Sequence, residues 1–178
     1  MKFLKWLLII IALLVVSLAV IAFFLPKTSH VERSITINAT QDAVFNQVNS
    51  FKNFNQWSPW ADKDPNATYS YSGPEAGVGN KMSWSSDKPE VGQGSQEIIE
   101  SQYPKKVKTK LLFGDDPNPG FATFSIEEIS FDQTRLTWSF DADFSESLVG
   151  RYFGLMMDSM LGPDYEKGLS RLRQLLEN

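Results

Sequence analysis

The hydrophobic pattern of the chain begins with an almost unbroken apolar run. Residues 6–25 form a stretch of 20 residues in which only Ser17 is polar. At about 1.5 Å per residue, such a helix spans roughly 30 Å, the thickness of the bilayer hydrocarbon. We therefore predict that residues 1–26 form an N-terminal transmembrane anchor that Pro26 terminates. The alternative is a signal peptide, although its apolar core is normally only about 7–15 residues long.

Short runs of alternating apolar and polar residues follow the anchor. Val31, Ile35 and Ile37 alternate with polar neighbours, which predicts a strand. Thr40 and Ser50 are suitable caps for two short helices after it. Further strands are predicted at 68–72, 81–86, 94–102, 106–113, 121–129 and 134–144. Because short links join consecutive strands, we expect the sheet to be antiparallel.

The last part of the chain, residues 145–178, has helical spacing. Its apolar residues recur every three or four positions, with a break at Gly162-Pro163, where we expect a kink or a fresh helix start. A helix with one apolar face needs a sheet to pack on. We therefore predict an α+β fold for residues 31–178, with 27–30 as a short stem. A curved antiparallel sheet of about seven strands would wrap around the long C-terminal helix, with two short helices after the first strand.

Charge and residue content exclude several classes of function. Lys and Arg number 17 against 21 Asp and Glu, a formal net charge of -4. Nucleic-acid binding needs clustered positive charge and is therefore not expected. The chain has no cysteine and only one histidine, His30, which excludes disulfides, thiolate chemistry and multi-histidine metal sites. We accordingly predict no metal, no cofactor and no catalytic residue.

Positive charges beside the apolar run indicate its orientation. Lys2 and Lys5 precede the run, and Lys27 and Arg33 follow it. The short, positively charged N-terminus favours an N-inside orientation. We therefore predict a single-pass protein of the inner or plasma membrane, with the folded domain on the extracytoplasmic (periplasmic) side.

Four segments of the predicted domain are distinctive in this order. They are 31–37 leading to 43–45, Trp57-Ser58-Pro59-Trp60 followed by Asp64-Pro65, Gly77-Val78-Gly79 ahead of 82–84, and 160–169. With them the chain resembles the START-like superfamily (SRPBCC, helix-grip or birch-pollen-allergen-like), and in particular its bacterial polyketide cyclase/dehydrase group. The resemblance implies a helix-grip fold, a seven-stranded sheet wrapped on the long helix with a cavity between them. It supplies no catalytic signature.

Aromatic and methionine side chains are the candidates for the lining of such a cavity. They are Met82, Trp84, Phe124, Trp138 and Phe140 on strands, and Tyr152, Leu155, Met156 and Met160 on the helix. Ligand pockets are usually apolar with a few polar points. The alternative is that these side chains fill a solid core. Trp57 and Trp60 are candidates for the cavity mouth, or else pack over the short helices.

Four carboxylates on predicted strands are the remaining candidates for acid or base chemistry. They are Glu97, Glu100, Asp141 and Asp143. A catalytic carboxylate needs burial and a perturbed pKa. Strand alternation places Asp141 and Asp143 on the face opposite Trp138, so we expect them to be solvated.

Three functions remain open at this stage. The leading hypothesis is a membrane-anchored domain that binds a hydrophobic small molecule or lipid in an internal cavity without chemistry. The second is a cavity enzyme of the cyclase, dehydratase or hydrolase type, with Tyr152 as one candidate residue. The third is a non-catalytic protein-interaction module with a filled core; its protein partners are not indicated by the sequence.

Overall fold

The computed structural model describes residues 2–178, with side chains from residue 3 onward, so that Met1 of the predicted anchor lies outside the described part. The helices are α1 (Lys2–Phe24), α2 (Gln41–Val48), α3 (Phe51–Trp57) and α4 (Leu148–Glu177). The strands are β1 (Thr28–Ile37), β2 (Thr68–Ser72), β3 (Lys81–Ser85), β4 (Gln93–Gln102), β5 (Lys106–Phe113), β6 (Gly120–Ser130) and β7 (Gln133–Asp143).

The seven strands form one antiparallel sheet in the order β1-β7-β6-β5-β4-β3-β2. Consecutive strands pair as hairpins, and the sheet is completed by β1, which pairs with β7. Helix α4 then packs alongside β1. Arg33 of β1 donates hydrogen bonds to Asp158 and Glu166 of α4, both at 2.8 Å. The predicted α+β helix-grip fold is therefore confirmed.

The core lies between the sheet, the two short helices and the second half of α4. Thr40 caps α2 as predicted, because its hydroxyl accepts the N–H of Ala43 at 3.3 Å. Ser50 occupies the N-cap position of α3, but its hydroxyl donates to the backbone carbonyl of residue 75 instead. Asn80 takes over the capping role, since its side-chain oxygen accepts the N–H of Phe51 at 2.8 Å.

Two boundaries differ from the predictions. Strand β1 begins at Thr28, which pairs with Asp143, so that three of the four residues predicted as a stem belong to the sheet. Helix α4 runs through Pro163 without the fresh start that we considered. The proline removes one helical hydrogen bond. The two ion pairs of Arg33 lie on either side of Pro163 and fix both parts of α4 to the same strand.

Helix α1 is long and apolar enough to cross a membrane, a property that signal sequences share. Its span Phe3–Phe24 has 22 residues, and an 18-residue stretch of it has a mean hydropathy of 3.3. Within it, the Ser17 hydroxyl donates to the carbonyl of Leu13 at 2.8 Å, which satisfies the one polar side chain of residues 6–25.

The C-terminal end of α1 contacts the beginning of α4. The Arg151 guanidinium donates to the carbonyl of Ala22 at 3.0 Å, and the Tyr152 hydroxyl donates to that of Leu18 at 2.7 Å. The apolar helix is therefore attached to the folded domain by polar contacts as well as by the chain.

Candidate ligand cavity

A cavity of about 470 Å³ lies between the sheet and α4. Aromatic side chains form much of its wall: Phe54, Trp60, Tyr69, Trp84, Phe113, Phe124, Trp138, Phe140 and Tyr165. This volume is within the range of about 300–1,000 Å³ that small-molecule pockets occupy. The inward-facing side chains therefore leave open space and do not form a solid core.

The strand candidates lie in this wall. Met82 and Trp84 of β3, Phe124 of β6, and Trp138 and Phe140 of β7 all line the cavity. Their positions follow from the period of two along a strand, which directs every second side chain to the same face of the sheet.

The helix candidates do not line the cavity. They are Tyr152, Leu155, Met156 and Met160; the last three are about half exposed, and none belongs to the wall. Tyr152 lies beyond the end of the sheet, because the Ser29 hydroxyl, near the start of β1, contacts the carbonyl of Gly154. Leu155, Met156 and Met160 are level with β1 but lie on the exposed side of α4. Leu161 and Tyr165, one turn apart, supply the helical part of the wall instead.

The two tryptophans predicted at the cavity mouth have other positions. Trp57 is only 1% exposed and packs edge-on against Phe54 and Trp138 in the core. Trp60 is partly buried within the cavity wall and contacts Trp138 and Tyr165 edge-on. Trp57 therefore packs as the alternative interpretation suggested, whereas Trp60 adds apolar surface to the cavity.

The wall also contains polar groups that lack protein partners. The hydroxyl of Thr109 and the indole N–H of Trp138 are buried and have no hydrogen-bond partner within the described part of the chain. Gln96, itself 7% exposed, is a further polar residue of the wall. Burying such groups without partners is costly. The Thr109 hydroxyl and the Trp138 N–H have no surface open to the cavity, so Gln96 is the buried polar residue of the wall that a bound molecule could reach.

Tyr165 and Trp138 form the most closely stacked pair in the wall. Their rings are 3.8 Å apart and nearly parallel, at 10°. Burial raises the pKa of Tyr165 far above its usual range, and the charge of Asp141 adds to this effect. Burial likewise raises the pKa of Tyr69. Both hydroxyls therefore stay protonated at neutral pH, so that neither tyrosine is poised to act as a base.

The carboxylates considered for catalysis lie elsewhere. Asp141 is exposed on the outer face and accepts a hydrogen bond from His30 at 2.7 Å. Glu100 pairs with Lys106 at 3.1 Å. The hydrogen bond from Ser145 to Asp143 lowers the pKa of that carboxyl. These three and Glu97 are all absent from the cavity wall, where the one carboxylate is the exposed Glu90.

Several wall residues were not among our candidates, although the sequence contains the signal for some of them. Thr109, Leu111 and Phe113 of β5 line the cavity and alternate with lysines that point to the other face. Gly94 and Gly120 do not line the cavity themselves, and the alternation along the strands does not reveal their role. A Cβ at either position would collide with an aromatic ring of the wall, so these glycines make room for Trp84 and Phe140, respectively.

Comparisons with solved structures agree with this architecture. Norcoclaurine synthase from Thalictrum flavum, in complex with dopamine and hydroxybenzaldehyde, has a TM-score of 0.61 at 14% identity, over 83% of this chain and 86% of that one. A START superfamily protein from Mycobacterium smegmatis has a TM-score of 0.59 at 16% identity, over 83% and 97%. XoxI from Bacillus cereus has 0.57 at 15%, over 84% and 96%. At these identities the likeness concerns the fold alone.

A search of curated proteins found no match. The family model described as "Polyketide cyclase / dehydrase and lipid transport" matches residues 28–177. The match begins at the first residue of β1 and ends with α4, so it covers the whole folded domain and leaves out α1. The chain therefore belongs to this polyketide cyclase/dehydrase and lipid transport family.

Proposed function

We propose that this protein is a membrane-anchored domain that binds one hydrophobic small molecule or lipid in its cavity, without chemical conversion. The observation that carries the proposal is the cavity itself, an open volume of about 470 Å³ enclosed by aromatic side chains. Aromatic rings bring a large apolar surface into contact with a ligand. The side chains around an empty space of this size lack the van der Waals contacts that they would make in a filled core.

The polar groups of the wall favour a ligand with at least one hydrogen-bonding group. The side-chain amide of Gln96 can both donate and accept a hydrogen bond. An amphiphile with one polar group paired to Gln96, and an apolar body against the rings, would satisfy both kinds of surface.

Binding is favoured over catalysis by the ionisable groups of the wall. They are Glu90, Tyr69 and Tyr165. Glu90 is exposed at the edge of the cavity, and the raised pKa values keep the two tyrosines neutral. A buried acid paired with a base, as general acid–base catalysis requires, is not among them.

Membrane anchoring is proposed on the properties of α1. The helix has the length and hydropathy of a span, and its sides are almost entirely exposed in the isolated chain. In water so much exposed apolar surface would be unfavourable, whereas in lipid it is matched to its surroundings. The charges on either side of the run favour an extracytoplasmic domain.

A pair of matched substitutions tests the ligand site. Leu111 lines the cavity, and the next residue, Leu112, is absent from its wall. We expect Leu111→Trp in the full-length chain to narrow the cavity and to reduce clearly the amount of the lipid or other apolar molecule that copurifies, measured by native mass spectrometry after mild detergent extraction. Leu112→Trp should leave the bound molecule in place. Equal occupancy in both variants, or no apolar ligand in the unmodified protein, would refute the proposal.

A further inference from the structure

The cavity opens at one particular end of the sheet. Five members of its wall are exposed: Pro89, Glu90, Gln93, Phe113 and Gly114. They belong to the β3–β4 connection, the first residue of β4 and the end of β5. The register of the strands places these connections at the same end, because Ser85 pairs with Gln93, and Phe113 pairs with Gly94. We name the residues 86–93 and 113–119 the cavity rim.

The apolar helix α1 reaches the domain at this same end. Its last residue, Phe24, is separated from β1 only by residues 25–27. The start of β1 pairs with the end of β7, and Phe121, at the start of β6, pairs with Asp141 of β7. The N–H of Phe144 also donates to the carbonyl of Lys27 at 2.6 Å. The rim, the exit of α1 and the start of α4 therefore share one end of the molecule.

The beginning of α4 presents an apolar stripe to its surroundings. The stripe consists of Val149, Phe153, Met156 and Met160, spaced by four, three and four residues and therefore aligned on one face. Their exposed fractions are 77%, 52%, 54% and 48%. From Leu148 to Met157 the chain carries a single charge, Arg151, whose side chain is buried.

The stripe also lies at the depth of the membrane surface if α1 spans the bilayer. Tyr152 binds the carbonyl of Leu18, which lies about 9 Å before the end of α1 at 1.5 Å per residue. Interfacial helices insert their apolar faces by about 5–10 Å. Tyr152 lies beside the stripe, three residues after Val149 and four before Met156. The exposed fractions of the stripe are those that remain with α1 in place, so most of its surface stays free for lipid.

We propose that the first turns of α4 lie in the surface of the bilayer beside α1, so that the cavity rim faces the membrane and the ligand enters from the lipid phase. This inference rests on the membrane anchoring and cavity binding proposed above. The rim favours a zwitterionic over an anionic surface, because it carries Asp87, Glu90, Asp115 and Asp116 against the single Lys88.

Single-cysteine labelling can test this arrangement, because the natural chain has no cysteine. The full-length protein, with a polarity-sensitive fluorophore at one position, would be placed in phosphatidylcholine nanodiscs with or without spin-labelled lipid. Phe153→Cys and Val149→Cys probe the stripe. Phe131→Cys is the matched control, an exposed aromatic position in the β6–β7 turn at the opposite end of the sheet. Leu14→Cys, within α1, reports whether the helix is inserted.

We expect spin-labelled lipid to quench the fluorophores at positions 14, 149 and 153 and to leave the one at 131 bright. Quenching at 14 without quenching at 149 and 153 would overturn the inference and leave the anchoring intact. Loss of quenching at all positions would refute the anchoring as well. A blue-shifted but unquenched signal at 149 and 153 would mean that protein, such as a second copy, covers the stripe, and this too would overturn the inference.

Discussion

Trp138 is the residue at which the core and the cavity meet. Its ring stacks on Tyr165 and makes edge-on contacts with Phe54, Trp57 and Trp60 at 5.6–5.9 Å. Such aromatic pairs contribute about 0.5–1.5 kcal/mol each beyond the area they bury. The same side chain keeps its indole N–H without a protein partner. A rigid aromatic cluster thus surrounds a hydrogen-bond donor that has no accessible surface, behind the ring face that lines the cavity.

Two buried threonines allow the cost of the unpartnered wall groups to be measured. Thr109 is 1% exposed and its hydroxyl has no partner within the described residues, whereas the Thr134 hydroxyl donates to the carbonyl of Ala39 at 2.8 Å. We expect Thr109→Val to raise the free energy of unfolding by about 1–2 kcal/mol, and Thr134→Val to lower it by about 1–3 kcal/mol. Denaturant titration of the full-length protein would measure both. Destabilisation by Thr109→Val would indicate that a bound molecule already satisfies this hydroxyl.

At the scale of elements, α4 consists of two parts with different surroundings. The part from Leu161 onward packs against the cavity and the core, whereas the first turns lie beyond the end of the sheet and beside α1. Arg33 holds the middle of the helix to β1. The helix thereby connects the ligand site to the end of α1 within a single rigid element.

The sequence could predict the strand faces far better than the helical face. Alternation assigns every residue of a strand to one of two faces, so Trp84 and Phe140 could be placed from the pattern alone. Helical spacing gives the direction of a stripe but not which turns lie over the sheet. Met156 and Tyr165 both follow the apolar pattern of α4, yet only Tyr165 reaches the cavity. Met156 is level with β1 but lies on the exposed side of α4. The way in which the helix is turned against the sheet decides this, and it depends on contacts with β1 that are distant in the sequence.

The edge strand β1 carries a cross-strand pair whose strength depends on pH. His30 lies directly opposite Asp141 of β7, and the hydrogen bond that it donates to this carboxylate, with smaller contributions from nearby charges, raises the pKa of His30 above about 6.5. The raised pKa means that the pair stabilises the fold fully below pH about 6.5 and that this contribution is lost as the pH rises through the pKa of the folded protein. The pair is more than half exposed, so we expect less than about 1 kcal/mol.

The single histidine makes this prediction directly measurable by NMR. The imidazole resonance should titrate with a midpoint above about 6.5, and Asp141→Asn should lower the midpoint. Asp143→Asn, two residues along the same strand, is the matched control and should leave it unchanged. A midpoint that does not respond to Asp141→Asn would show that the contact is not formed in solution.

At the scale of the whole molecule, the orientation of the domain is set by a very short connection. Only residues 25–27 separate α1 from β1, and Arg151 and Tyr152 add hydrogen bonds between α1 and α4. A domain held in this way cannot turn freely on its anchor. The cavity rim therefore keeps a fixed position relative to the end of α1, as delivery of a ligand directly from lipid would require.

Lengthening this connection should slow the transfer of ligand from the bilayer. Inserting about twelve Gly and Ser residues after Pro26 should reduce the effective concentration of the rim at the lipid surface roughly tenfold, because it falls steeply with linker length. The same insertion after Phe131, at the opposite end of the sheet, is the control.

The rate of ligand uptake would be followed as energy transfer from the cavity tryptophans to a pyrene-labelled fatty acid supplied in phosphatidylcholine vesicles. We expect slower uptake only for the insertion after Pro26, with the final occupancy unchanged, since the cavity itself is not altered. Equal rates in both variants would mean that the ligand reaches the cavity through water.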